Sequence, residues 1–90
     1  MSTSVPDADP RAIRVDVADA ELSVELADGR RIVVPLVWFP RLLRATPAQR
    51  AVWRLVGDGC GIHWPEIDED ISVGGLLRGA SSPDAARRVG

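Results

Sequence analysis

The chain has no lysine and no tyrosine, and only one cysteine, one histidine and one phenylalanine. Each shortage excludes something. A lone Cys60 rules out an internal disulfide and a multi-cysteine zinc site, and it fits a reducing compartment. A lone His63 leaves zinc a single nitrogen donor and gives a Ser-His-acid triad little to choose from. All eleven basic residues are arginine, and the formal net charge is −2. That balance neither advertises nucleic acid nor marks a solvating acidic chain. The longest apolar run, near Ile32 to Phe39, is interrupted by Pro35 and is too short to span a bilayer. Met1 to Asp7 lacks the basic region and apolar core of a signal peptide, so the expected location is the cytoplasm.

What is present suits one small α+β domain. Ninety residues, 46% of them apolar and 27% charged, allow a single core and ordinary solubility. A chain of this size buries only about 60% of the surface its unfolded form exposes, so association is a fair expectation. Composition predicts a loose N-terminal tail over residues 1–10, an ordered domain over 11–79 and a loose C-terminal tail over 80–90.

From Ile13 onward the pattern has period two. Ile13, Val15 and Val17 alternate with Arg14 and Asp16; Leu22, Val24 and Leu26 alternate with Glu21, Ser23 and Glu25. Ile32, Val34 and Leu36 mark a third strand. Opposed residues of an antiparallel pair share a face, which fixes the register. A two-residue Asp28-Gly29 turn would set Glu25 against Ile32 and mix the faces. A three-residue loop, Ala27-Asp28-Gly29, pairs Val24 with Ile32 and Leu22 with Val34, and puts Gly29 at a left-handed position. With a first hairpin around Asp19-Ala20, this predicts a row Arg14–Glu25–Arg31 on the outer face of a three-stranded meander. Such a row is a solvated charge ladder of small energetic value.

Short helices follow. Pro40 to Ala45 reads as one with proline at its start. Thr46-Pro47-Ala48-Gln49 spells a capping box with proline in the first helical position, and this helix should end near Val52. Asp58-Gly59 as a two-residue turn then pairs Leu55 with Ile62 and Trp53 with Trp64, leaving Arg54 beside His63 on the other face. Pro65 ends that pairing. Asp68 and Asp70 are expected to fix the turn into a last short helix, Val73 to Leu77, capped by Ser72 or Asp70 and stopped by Gly79.

Chemistry is scarce. Cys60 and His63, three residues apart on a strand, point to opposite faces and cannot form a nucleophilic dyad. Glu66, Asp68, Glu69 and Asp70 with His63 are the one place for a divalent metal, yet they lack calcium-loop spacing. Gly57-x-Gly59-x-Gly61 opens no helix and is no phosphate loop. No catalytic residue, cofactor or metal is assigned. Trp38 and Phe39, adjacent on an extended segment, cannot both be buried by one face. One of them is expected at a surface contact, with Arg41 and Arg44 beside it.

The most informative stretch is Gly61-Ile62-His63-Trp64-Pro65-Glu66-Ile67-Asp68-Glu69-Asp70-Ile71-Ser72. Together with Val34-Pro35-Leu36, Trp38-Phe39-Pro40-Arg41-Leu42, Ala45-Thr46-Pro47 and Leu76-Leu77-x-Gly79, it resembles the bacterial family known as domain of unknown function 2442, over about residues 11 to 79. The resemblance implies a small α+β domain with no established catalytic residues. Some members carry a C-terminal helix-turn-helix. Others are short and are encoded beside another small protein, in an arrangement like a toxin–antitoxin pair. This chain is similar to the short kind. The expectation is therefore a non-enzymatic protein-interaction module, antitoxin-like, with the product of an adjacent gene or a second copy of itself as partner. Direct nucleic-acid or membrane contact is not expected. The rival readings are a nucleic-acid-associated regulator acting through Arg41 to Arg54, and a metal-dependent enzyme centred on His63, Asp68 and Asp70.

Overall fold

The computed structural model describes residues 10–79. The predicted tails over 1–10 and 80–90 fall outside the described residues, Pro10 excepted. Strands β1 (Ala12–Val17), β2 (Glu21–Leu26) and β3 (Arg31–Pro35) form an antiparallel meander with β2 in the middle. Val24 pairs with Ile32, Leu22 with Val34 and Glu25 with Arg31, as the three-residue loop requires. Gly29 has a φ of +96° and nothing within 4 Å of where a Cβ would sit. Its need for glycine is therefore one of backbone conformation alone. Leu22, Val24 and Leu26 are fully buried, so every second side chain of the central strand enters the core.

One expectation fails at the start of β1. Ala12 pairs with Leu26 and Arg14 with Glu25, so Ile13 is the extra residue of a bulge. Ile13 is 55% exposed, while Ala12 takes the inward place at 2%. The reason is space. Gly59, at the tip of the second hairpin, approaches so closely that a Cβ there would lie 2.7 Å from the Ala12 carbonyl oxygen. A bulge that turns in the smaller side chain fits this crowding, and an isoleucine would not.

The connecting segment follows its sequence signals. A 3-10 turn over Leu36–Trp38 leads into α1 (Pro40–Arg44) and α2 (Pro47–Ala51). Thr46 Oγ1 accepts the Gln49 N–H at 3.1 Å, and Gln49 Oε1 accepts the Thr46 N–H at 2.9 Å. The capping box is closed on both sides.

The second sheet comprises β4 (Arg54–Val56), β5 (Gly61–Trp64) and β6 (Glu69–Ser72), with β5 central. Arg54 pairs with His63 and Leu55 with Ile62, in the predicted register. Asp58 and Gly59 both have positive φ, and the Cys60 N–H donates to the Gly57 carbonyl at 3.1 Å. This is the backbone geometry of a type I′ hairpin turn. Strand β6 was not anticipated from the sequence. Asp68, at φ 53°, closes the tight turn after Pro65, and Glu69 and Ile71 then face inward while Asp70 and Ser72 face out. Helix α3 (Val73–Leu77) begins directly at Ser72, whose Oγ accepts the Gly75 N–H at 3.1 Å. Gly79, at φ +79°, follows the helix. The two sheets share one core, in which Leu22, Leu26, Leu36, Leu42, Ile62 and Trp64 have no exposed surface.

Candidate functional site

The predicted surface corner begins where β3 ends. The 3-10 turn and α1 meet at Phe39, whose φ of −130° and ψ of 82° break the helical path. That break separates the two adjacent rings. Phe39 is buried in the core at 4% exposure, and Trp38 lies half-buried against the same core. Of the predicted interface residues, Phe39 is thus withdrawn from the surface and Trp38 keeps an edge on it. Beside Trp38, Val37 is 60% exposed, and Leu43 on α1 is 38% exposed.

Arg41 and Arg44 are both exposed, i and i+3 on α1. Their surroundings differ. One Arg41 terminal nitrogen donates to the Asp68 carbonyl at 2.6 Å, and its Nε lies 4.0 Å from the buried Glu69 carboxylate. Arg41 therefore ties α1 to the turn over 65–68. Arg44 has no ion-pair partner among the described residues.

Arg50 was missed as a key residue. Its Nε donates to the Leu42 carbonyl at 3.0 Å and its Nη2 to the Leu43 carbonyl at 2.8 Å. Both carbonyls lie in the last turn of α1, where a helix leaves acceptor capacity to spare; the Leu42 carbonyl also accepts the Ala45 N–H at 3.1 Å. The Arg50 carbonyl in turn accepts the Trp64 indole N–H at 3.1 Å. One residue thus joins α1, α2 and the second sheet. Residues 29–57 contain six arginines and no Asp or Glu, a segregation that does not single out Arg50. The fold undoes that segregation. Arg30 meets Asp28 at 2.8 Å, Arg31 sits opposite Glu25, Arg41 approaches Glu69, and Arg50 lies 3.9 Å from Asp19. Asp28 also raises the Arg30 pKa above its ordinary value, first through the side-chain hydrogen bond.

The residues weighed for chemistry do not converge. His63 Nδ1 lies 2.7 Å from Asp70 Oδ1 on the outer face of the second sheet, with Arg54 on the other side. Cys60 is exposed at the hairpin turn. Glu69 faces inward, Asp70 outward, and Glu66 and Asp68 occupy the turn, so the acidic run is dispersed over three directions. Among the described residues no group of three or more His, Cys, Asp or Glu side chains is placed to hold a metal ion. Asp70 was expected to serve the turn into α3; its carboxylate goes to the imidazole, and Ser72 supplies the cap. A groove of about 240 Å³ between β1 and α2, whose lining includes Val15, Asp16, Asp19, Arg50 and Trp53, contains no Ser, Thr, Cys or His. No helix among the described residues is long and apolar enough to cross a membrane.

Comparison with known proteins agrees with this architecture. A crystal structure of a protein of unknown function from Rhodospirillum rubrum is 30% identical in sequence and superposes with a TM-score of 0.70. The match covers 83% of this chain and 93% of that one. No curated protein matches. The family model described as "Protein of unknown function (DUF2442)" matches residues 12–82. The capping box, the Trp64-Pro65 turn and the strand leading into α3 are therefore features of a chain that belongs to the DUF2442 family.

Proposed function

We propose that this protein is a small non-enzymatic interaction module, the antitoxin-like member of a two-gene pair, acting in the cytoplasm. Its partner, the product of the adjacent gene, seats on the corner made by Trp38, Arg41 and Arg44. One observation carries the reading: a tryptophan held half-buried by the core adjoins exposed Val37 in the chain and is followed, on α1, by exposed Arg41, Leu43 and Arg44. An indole fixed by its own fold loses little side-chain entropy when a partner covers it, and tryptophan and arginine are the residue types that dominate binding energy at interfaces.

Co-expression with the adjacent gene product, followed by affinity purification, tests this. The two proteins should be recovered together. Trp38→Ala should weaken the complex by about 2 kcal/mol, roughly thirtyfold in affinity, with the circular dichroism spectrum retained. Recovery of this protein alone would remove the reading. Loss of the folded spectrum in Trp38→Ala would show that the ring serves the core, and Arg44→Ala, at an exposed position, would then decide whether the corner binds.

A further inference from the structure

We infer that the free edge of β1 is a docking site for the C-terminal end of another polypeptide, which adds to the first sheet as a short extra strand. Strand β1 has β2 on one side and, on the other, a groove toward α2 lined by Val15, Val17, Pro47, Arg50 and Trp53 among others. The Ala18 N–H donates to the Glu21 carbonyl at 2.9 Å, which sets the alternation of the ladder. Val17 opposite Leu22 and Val15 opposite Val24 are then the pairs whose backbone groups do not bond each other. The N–H and C=O of Val15 and Val17 therefore point away from β2, toward the groove. Among the described residues, no backbone hydrogen bond outside the ladder uses them.

The groove also holds a cation with donor capacity to spare. The Arg50 side chain is 11% exposed; its Nε and Nη2 serve the Leu42 and Leu43 carbonyls, and its Nη1 makes no hydrogen bond among the described residues. The Asp19 carboxylate stands 3.9 Å from Nη1, beyond hydrogen-bond reach, and is wholly exposed. A carboxylate seated on Nη1 would gain the charge-assisted hydrogen bond that Asp19 does not make. Strand addition at a sheet edge and capture of a terminal carboxylate are both established modes of peptide recognition. The open edge is short, because the hairpin tip at Gly59 closes on Ala12. A chain that ends in the groove needs one way out and an internal segment needs two, so a C-terminus is the occupant. With its carboxylate at Arg50, beside Asp19, such a strand runs parallel to β1, and Trp53 offers its last side chain an apolar wall.

This site uses none of Trp38, Arg41 and Arg44, and its test needs only the purified chain. The probe is the tripeptide acetyl-Val-Thr-Val with a free carboxylate, titrated into the isotope-labelled full chain and followed by NMR. The backbone amide signals of Val15 and Val17 and the Arg50 Nε–H signal should shift together and saturate, with half-saturation at about 1 mM. The same peptide closed as a C-terminal amide should bind about tenfold more weakly. So should acetyl-Val-Glu-Val amide, whose one carboxylate is on a side chain. Asp19→Asn removes the competing carboxylate from an exposed position and should tighten binding about threefold. That variant is preferred to Arg50→Ala, whose loss would also free α1 from its carbonyl contacts. The inference is overturned if no saturable shift appears up to about 5 mM peptide, or if the shifts centre away from Val15 and Val17. It is equally overturned if either amide binds as tightly as the free acid, or if Asp19→Asn weakens binding.

Discussion

The two three-stranded sheets share a core but hold together by different means. In the first, strands of five and six residues present a regular apolar face, with Leu22, Val24 and Leu26 of the central strand fully buried. In the second, strands of three and four residues carry a glycine in the central strand and a glutamate at an inward position. The first sheet is stabilised mainly by repetition. The second depends on single residues with particular jobs: Trp64 for volume, Gly59 for close approach, Asp68 for its left-handed turn and Ser72 for the helix cap. Damage spread over several positions in one sheet is concentrated at few in the other.

The largest expected effect tests that concentration. Trp64→Ala removes the bulkiest fully buried side chain and leaves the Arg50 carbonyl without its indole donor. A loss of about 4 kcal/mol should follow, most of the roughly 5 kcal/mol that a domain this small holds. With about 1 kcal/mol left, thermal melts followed by circular dichroism should show roughly 15% of the chain unfolded already at 25 °C and a melting temperature far below the parent's. A melting temperature within a few degrees of the parent's would mean that the second sheet contributes little to the core.

A sharper comparison uses two glycines with nearly the same backbone angle, one in each sheet's hairpin. Gly29 has φ +96° and open space around it, whereas Gly59 has φ +97° and would set a Cβ 2.7 Å from the Ala12 carbonyl oxygen. Gly29→Ala should cost only the left-handed penalty, about 1 kcal/mol. Gly59→Ala adds a clash between two backbones that cannot yield separately, and about 3 kcal/mol in all is expected. Urea denaturation of both variants measures the difference. Equal losses would show that the approach of hairpin to β1 relaxes freely, and the bulge at Ile13 would then need another cause.

The same contrast explains what was legible in the sequence. The first sheet's register could be obtained by arithmetic because the apolar residues alternate and only one loop length keeps the faces unmixed. Thr46 and Gln49 announced their capping box because both partners lie within one turn of chain. Asp58-Gly59 announced the second hairpin, since left-handed turns favour that pair. Strand β6 stayed hidden: Glu69-Asp70-Ile71-Ser72 has one β-branched apolar residue, and its inward glutamate inverts the expected polarity. Arg50 stayed hidden because its partners are backbone carbonyls, which sequence patterns do not mark. Phe39 and Trp38 could be divided between core and surface only in principle. Which ring went inward was decided by the irregular backbone at Phe39.

The smallest effect lies on the outer faces, where the sheets should behave alike. His63 and Asp70 form a close cross-strand pair at 2.7 Å, yet the Asp70 side chain is 72% exposed. Across the first sheet, Glu25 stands between Arg14 and Arg31 in the equivalent central place. Water screens both arrangements, and each contributes little beyond holding side chains in register. Asp70→Asn and Glu25→Gln should therefore each change stability by no more than about 0.5 kcal/mol, read from urea midpoints near neutral pH. A loss of 2 kcal/mol or more in Asp70→Asn alone would separate the sheets again. It would mean that the imidazole and its carboxylate, rather than Ile62 and Ile71 beneath them, keep β6 attached to β5.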